Sequence, residues 1–183
     1  MQRPNLYLVG FMGTGKSVIG WRVAKKLGLN FIDSDKTIER LCDATVSEII
    51  ENEGEAYFRN QEREFITSGH PKEACLISCG GGLITQEGII EVMKPKGITL
   101  CLTASAETIL ERTQNSRTQR PLLQCDDPKA RIEALLQQRD PLYKRIGLCI
   151  STDNRQIAEI VSQITKIYTR EAKTFQIPQE VKY

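Results

Sequence analysis

The chain has 183 residues, of which 40% are hydrophobic and 26% are charged. A chain of this length and balance can bury a core large enough to fold as one globular domain without disulfides or a structural metal. Its net charge is +2, from 25 Lys and Arg against 23 Asp and Glu. This near-neutral balance argues against a broad basic surface for nucleic acid or an anionic membrane, so any basic site must be local.

The cysteines and the N-terminal residues indicate the compartment. The six cysteines form no CxxC pair and are accompanied by a single histidine, His70, which we place on a surface turn. Free thiols are therefore expected rather than a metal site. An apolar run begins at Leu6, which leaves no room for a signal peptide, and no apolar run is long enough to span a membrane. We expect a cytoplasmic monomer with no nucleic-acid or membrane partner.

Five short apolar runs have the composition of β-strands, and helical patterns fill the gaps between them. The runs cover residues 6–9, 31–32, 75–79, 98–102 and 148–151. Strands that alternate with helices in this way are typical of a mostly parallel sheet with helices on both faces. The sequence therefore predicts an α/β protein with three layers.

Helices are predicted over residues 16–27, from a capping box at Thr45 and Glu48, over residues 55–67, and after Asp153. Gly28 is the stop signal of the first helix. We interpret Trp21, within that helix, as a packed side chain. After the last helix the chain becomes polar, and the tail is expected to fray.

Residues 10–17, Gly-Phe-Met-Gly-Thr-Gly-Lys-Ser, match the phosphate-binding pattern G-x-x-x-x-G-K-[ST] in its required place between a strand and a helix. Glycines let backbone N–H groups point inward, and the helix N-terminus adds the positive end of its dipole. Lys16 can reach the β and γ phosphates, and the Ser17 hydroxyl can ligate Mg²⁺. The alternative is a Gly-rich turn that contains Lys and Ser by chance. The residues predicted to bind ATP here are Gly13, Thr14, Gly15, Lys16, Ser17 and Val18.

A phosphate-binding loop alone does not separate kinases from GTPases, motor ATPases or regulatory nucleotide-binding proteins. The chain contains no Asn-Lys-x-Asp guanine signature, which weakens the GTPase interpretation. A small-molecule kinase is the leading hypothesis. The alternatives are another small-metabolite kinase such as gluconate kinase, a kinase-like regulatory module without catalysis, and a nucleic-acid-dependent ATPase, which the near-neutral charge disfavours.

Two carboxylates follow the second predicted strand. Asp33 and Asp35 lie at its carboxyl end, where open α/β sheets bind their ligands. In a kinase, one carboxylate could hold Mg²⁺ and the other could accept the proton of the attacking hydroxyl. The alternative is that Ser34 or Asp35 only caps a helix.

Three further features complete a pattern: Phe58-Arg59 in a helical stretch, Gly80-Gly81-Gly82 after the third strand, and the run 139–143, Arg-Asp-Pro-Leu-Tyr. Together with residues 10–17 and the two aspartates, their order and spacing resemble the shikimate kinase family over roughly residues 5–165. The resemblance implies a five-stranded parallel sheet of the nucleoside-monophosphate-kinase type. The parts that it implies are one domain over residues 1–169, substrate-binding helices over about 34–67, a lid over about 112–128 and a polar tail over 170–183.

The resemblance also implies a role for each of these residues. Asp35 matches the carboxylate that binds the shikimate hydroxyls and orients the nucleophile, and Asp33 matches the residue that reaches Mg²⁺. Arg59 and Arg139 match the pair that clamps the shikimate carboxylate, for which a guanidinium fork is well suited. The loop beneath the substrate, where a missing Cβ lets the backbone approach the ligand, corresponds to Gly80, Gly81 and Gly82.

The predicted lid carries further candidates. Arg120 resembles the lid arginine of the family and is expected to meet the transferred phosphoryl group. Arg117 is the alternative, because this stretch is slightly longer than usual in the family. Arg112 and Arg155 resemble positions that flank the adenine ring.

The reaction that the resemblance implies is phosphoryl transfer from ATP to shikimate, with Mg²⁺ as the cofactor. Phosphoryl transfer depends on positioning and electrostatic stabilisation more than on covalent chemistry by the protein. The expected catalytic residues are Lys16, Asp35 and Arg120.

Overall fold

The computed structural model describes residues 3–115 and 121–176. Five parallel strands form one sheet in the order β2-β3-β1-β4-β5. The fold is therefore the predicted α/β class with a five-stranded parallel sheet. The strands are Asn5–Gly10 (β1), Asn30–Asp33 (β2), Cys75–Ser78 (β3), Gly97–Thr103 (β4) and Cys149–Ser151 (β5).

Eight helices connect and cover these strands in the described residues. They are Lys16–Leu27 (α1), Ser34–Cys42 (α2), Val46–Glu53 (α3), Glu55–Ser68 (α4), Ile89–Met93 (α5), Ala106–Gln114 (α6), Pro128–Lys144 (α7) and Ile157–Glu171 (α8). The predicted first helix has the bounds of α1, and its C-cap Gly28 adopts the left-handed conformation with φ 64°, which glycine permits at low cost. The predicted lid over about 112–128 corresponds to the end of α6, a 3₁₀ turn at Pro121–Leu123 and the start of α7, with residues 116–120 outside the described part.

Both faces of the sheet are buried, which explains why its strands are continuous apolar runs rather than alternating patterns. Leu6 and Leu8 belong to the core that α1 and α8 cover. Tyr7 and Val9 point to the other face, whose core includes residues of α2, α3, α4, α5 and α7. Because all five strands run in one direction, the loops after β1, β2 and β3 emerge at the same edge.

Two side chains differ from their predicted environment. Trp21 is 53% exposed and lies on the outer face of α1, with Lys25 Nζ 5.5 Å from its ring centroid, so the prediction that it is a packed side chain is wrong. His70 lies on the predicted turn after α4, but its side chain is half-buried. Its Nε2 lies 3.2 Å from the Tyr7 hydroxyl, and its ring contacts Phe65. Both differences arise because sequence alone does not show which helix face or turn another element covers.

No helix within the described ranges 3–115 and 121–176 has both the length and the apolar character needed to cross a membrane. The last helix, α8, extends to Glu171, so the first two residues of the predicted tail are helical. The Tyr168 hydroxyl donates a hydrogen bond to the Pro4 carbonyl at 2.8 Å. This bond joins the end of α8 to the residue before β1.

The predicted capping box at the start of α3 supplies a test of local stability. Thr45 Oγ1 accepts from the Glu48 N–H at 3.3 Å, and Glu48 Oε2 accepts from the Thr45 N–H at 2.8 Å. Thr45→Ala should lower the free energy of unfolding by about 1 kcal/mol, because the first turn of α3 loses this cap. Urea denaturation followed by circular dichroism measures the change.

Thr169→Ala is the matched control, because its exposed hydroxyl donates only to the Thr165 carbonyl one turn earlier in α8. Such a bond contributes little to helix stability. An equal loss in the two variants would show that the capping box has no special part in stability.

Candidate active site

The loop after β1 has the shape of a phosphate cradle. Gly13 and Gly15 have φ values of 76° and 89°, a left-handed region that glycine adopts without steric cost. The Thr14 side chain is fully buried and its hydroxyl donates to the Phe11 carbonyl at 2.7 Å. Thr14 therefore holds the loop in shape. Although it was predicted to bind ATP, it does not line the cavity over this loop.

Lys16 begins α1 and folds back over the loop. Its Nζ donates to the carbonyls of Gly10 at 2.8 Å and Phe11 at 2.9 Å. These contacts keep the ammonium at the centre of the cradle. A phosphate entering the cradle would meet this charge together with the N-terminal end of α1.

Ser17 and Asp33 provide oxygen atoms suited to Mg²⁺. The Ser17 hydroxyl donates to Asp33 Oδ2 at 2.8 Å and lies 3.3 Å from the Ser78 hydroxyl. A hard divalent cation prefers such oxygen donors, completed by phosphate and water oxygens, so these residues fit the predicted ion. Asp33 is also the N-cap of α2, accepting from the Lys36 N–H at 3.3 Å. The helix is therefore capped by Asp33 and not by Ser34 or Asp35, which were the predicted capping residues.

A cavity of about 450 Å³ opens over the cradle. Arg112 lines this cavity, and its guanidinium donates to the Gly13 carbonyl at 3.2 Å and to the Thr152 hydroxyl at 2.9 Å. Arg155 does not line it and instead donates to Gln163 Oε1 at 2.8 Å. Of the two arginines predicted to flank adenine, the structure brings only Arg112 to the cavity. The other predicted residues along the lining are Gly13, Gly15, Lys16, Ser17, Val18, Asp33, Asp35 and Gly81.

A second cavity, of about 560 Å³, lies beside the first. Met12, Asp35 and Gly81 line both cavities, so the two spaces meet at these residues. The predicted residues that line the second cavity are Asp35, Arg59, Gly80, Gly81, Gly82 and Arg139. Most of the described residues that were predicted to bind the phosphoryl donor thus line the first cavity. Those predicted to bind the phosphoryl acceptor line the second.

Asp35 lies in the first turn of α2, at the junction of the cavities. Burial raises the pKa of its carboxyl, and the neighbouring Asp33 raises it further, whereas Lys16 lowers it. A carboxylate with a raised pKa is a better proton acceptor than an exposed one. The arrangement can therefore accept a proton from a hydroxyl group that lies between the two cavities.

Arg139 is a buried cation, with 7% of its surface exposed. It donates to the Gly81 carbonyl at 3.0 Å and lies 5.2 Å from the Phe11 ring centroid. Its Nε has no hydrogen-bond partner in the part of the chain that the structure describes. Buried polar groups of this kind are normally satisfied, so Arg139 is suited to receive an anionic ligand.

Arg59 is held by two glutamates. Its NH1 donates to Glu62 Oε2 at 2.6 Å, and its NH2 donates to Glu55 Oε1 at 2.8 Å. Burial raises the pKa of Glu62 to about 7, although Arg59 lowers it. Sequence reasoning missed Glu62, for which the available signal was its position three residues after Arg59 on a predicted helix.

The glycines after β3 make room for these charged groups. A Cβ on Gly80 would overlap Glu62 Oε1 and lie 2.5 Å from Asp35 Oδ1, and a Cβ on Gly82 would overlap the Arg59 guanidinium. The Gly80 N–H also donates to the Ser34 hydroxyl at 2.9 Å. The absence of a Cβ at Gly80 and Gly82 thus leaves room for acidic and basic side chains of the protein. Both glycines also line the second cavity.

Comparison with known proteins agrees with this geometry. Residues 12–169 match the family model described as shikimate kinase. The chain is 42% identical over 166 residues to shikimate kinase from Thermodesulfovibrio yellowstonii, covering 91% of this chain and 95% of that one. The chain belongs to the shikimate kinase family.

Solved structures give the same result. Shikimate kinase from Acinetobacter baumannii, in complex with shikimate, superposes with a TM-score of 0.85 and 37% identity, covering 92% of this chain and 94% of that one. A gluconokinase from Sinorhizobium meliloti has a TM-score of 0.58 at 16% identity, with 95% and 97% coverage. That second likeness concerns the fold alone, which shikimate kinases share with kinases for other metabolites.

Both candidates for the lid arginine of the shikimate kinase family, Arg117 and Arg120, lie outside the described residues. The second described part of the chain begins with the 3₁₀ turn Pro121–Leu123. Leu122 and Gln124 line the second cavity, which we call the acceptor cavity. Part of the predicted lid therefore borders this cavity.

Gly80→Ala tests whether the acids at this junction need the space that the glycine leaves. Both Glu62 and Asp35 would have to move away from the new methyl group, so turnover should fall about ten- to hundred-fold. Steady-state kinetics measures the loss, and thermal unfolding shows whether the variant remains folded.

Gly81→Ala is the comparison variant, because the nearest atom to its Cβ, the Met12 nitrogen, lies at 3.4 Å, an ordinary contact. Because Gly81 also lines both cavities, its KM values can change, but its kcat at saturating substrates should fall much less. Equal losses at the two positions would show that crowding of Asp35 and Glu62 is not the cause.

Proposed function

We propose that this chain transfers the γ-phosphoryl group of ATP to the 3-hydroxyl of shikimate, giving ADP and shikimate 3-phosphate. The observation that carries the proposal is the meeting of two cavities at Asp35, with the phosphate cradle on one side and two arginines on the other. A kinase needs this arrangement, because the phosphoryl group must pass between two substrates held in line.

On the donor side, the backbone N–H groups of the cradle and Lys16 bind the phosphates, and Arg112 lies near the nucleotide. Ser17 and Asp33 would hold Mg²⁺, which when bound offsets the negative charge of the phosphate oxygens. The lid arginine, Arg120 or alternatively Arg117, would close over the transferred group. A closed lid excludes water, which would otherwise compete as the phosphoryl acceptor.

On the acceptor side, Arg59 and Arg139 bind the shikimate carboxylate, and Asp35 orients the attacking hydroxyl and accepts its proton. The pairing is chemically suited, because a guanidinium fork binds a planar carboxylate through two parallel hydrogen bonds. Arg139 supports this assignment most directly, since it is buried and pairs with no carboxylate among the described residues. We also propose that the protein is a monomer in the cytoplasm.

The acceptor itself is tested by ADP release with MgATP and a panel of acceptors. Shikimate should stimulate release strongly, whereas gluconate and nucleoside monophosphates should not exceed the rate without acceptor. Gluconate is the informative competitor, because it also carries a carboxylate and so is not excluded by the two arginines alone. Nucleotide binding without stimulation by any acceptor would instead favour the regulatory module.

Asp35→Asn tests the proton acceptor. The amide keeps the shape of the side chain but cannot take a proton, so kcat should fall at least about a hundred-fold, while the Kd for ATP stays nearly unchanged. Steady-state kinetics and nucleotide titration measure the two quantities.

Asp43→Asn is the control for this substitution. Asp43 is the exposed C-cap of the same helix, with φ 49°, and asparagine tolerates that left-handed conformation. Its kinetics should match the wild type. An Asp35→Asn enzyme with wild-type turnover would show that Asp35 does not accept the proton.

A further inference from the structure

The guanidinium of Arg59 is already occupied by carboxylates before any ligand binds. NH1 donates to Glu62 Oε2 at 2.6 Å. Glu55 Oε1 accepts from both NH2 at 2.8 Å and Nε at 3.2 Å. Glu55 therefore holds one of the edges through which a guanidinium binds a carboxylate bidentately.

The two glutamates are held very differently. The Glu62 side chain is 1% exposed and also accepts from Gln86 Nε2 at 3.0 Å. The Glu55 side chain is 67% exposed, and among the described residues it accepts hydrogen bonds from Arg59 alone. Exposed ion pairs contribute little and exchange readily with other partners, whereas a buried partner is costly to remove. Glu62 is thus a permanent support for Arg59, and Glu55 is a partner that can leave.

Both Glu55 and Arg59 line the acceptor cavity. A ligand carboxylate that pairs with Arg59 must approach a guanidinium whose charge Glu55 already neutralises. It must also approach the Glu55 carboxylate itself, which has the same charge as the ligand.

We infer that Glu55 competes intramolecularly with the acceptor carboxylate for Arg59 and is displaced when the acceptor binds. This inference rests on the proposed function, because it takes shikimate as the carboxylate that replaces Glu55. In the free protein, Glu55 compensates the charge of Arg59 at the cavity mouth. When product leaves, Glu55 returns to the guanidinium and assists release.

Glu55→Gln tests the competition. The amide keeps the size of the side chain but removes its charge, so the KM for shikimate should fall about two- to five-fold. The KM for ATP should remain unchanged, because the phosphate cradle is not altered. The kcat should not rise, because Glu55 also assists product release. Steady-state kinetics with each substrate varied in turn separates these effects.

Glu64→Gln is the matched control, because it removes one exposed carboxylate from the same helix, outside the acceptor cavity. Its KM for shikimate should equal that of the wild type. A fall in both variants would indicate a general charge effect and would contradict competition at Arg59. An unchanged KM in Glu55→Gln would contradict it too, and a raised KM would show that Glu55 instead orients Arg59 for binding.

The Arg59→Ala background supplies the decisive comparison. If Glu55 acts chiefly through Arg59, adding Glu55→Gln to Arg59→Ala should raise kcat/KM for shikimate much less than Glu55→Gln does in the wild type. The difference is the coupling energy of the double-mutant cycle. A similar gain in both backgrounds would overturn the inference. Failure of the proposed function is distinguishable, because shikimate would then not stimulate ADP release by the wild-type chain at all.

Discussion

Buried charges at the carboxyl edge of the sheet must be balanced before any substrate arrives, and much of the local structure follows from that requirement. Burial raises the pKa of both Asp35 and Glu62, because a charged carboxylate is poorly solvated there. Lys16 offsets this effect at Asp35, and Arg59 offsets it at Glu62. Gly80 leaves the space in which the two acids come close together. The site is therefore a charge network whose members depend on one another's positions.

The parallel sheet brings this network together from distant parts of the sequence. The phosphate cradle follows β1, the aspartates follow β2, and the glycines follow β3. These strands are neighbours in the order β2-β3-β1, so their loops lie side by side at one edge. The helices α2, α3, α4 and α7 contribute to the core on one face of the sheet. Asp35 lies in α2, Arg59 in α4 and Arg139 in α7. Residues of α3 reach the acceptor cavity only because this helix is held beside α4.

The elements that could be predicted from the sequence are those determined by local physics. Apolar runs, the capping box at Thr45 and the glycine-rich loop each depend on neighbouring residues, and the structure has them where they were predicted. The three-residue spacing of Arg59 and Glu62 allows them to pair on one helix. The burial of Glu62 depends on other elements, and no local pattern reports it. The exposure of Trp21 could not be predicted for the same reason, because an amphipathic helix could place this side chain on either face. The place of Arg155 beside adenine was predicted from family resemblance. In the structure, Arg155 donates to Gln163 and does not line the cavity over the phosphate cradle.

The two arginines of the acceptor cavity differ in a way that explains why both are present. Arg139 is buried, packs against Phe11 and donates to the Gly81 carbonyl, so its position is fixed by the fold. Arg59 is more exposed and is neutralised by carboxylates of its own helix. A fixed cation can set the orientation of a bound carboxylate, because its geometry does not change on binding. A cation with a replaceable partner can make binding reversible, because its charge is compensated again as soon as the ligand leaves. Under the proposed function, turnover uses both properties, since a product that keeps the carboxylate of the substrate is oriented by the same site that releases it.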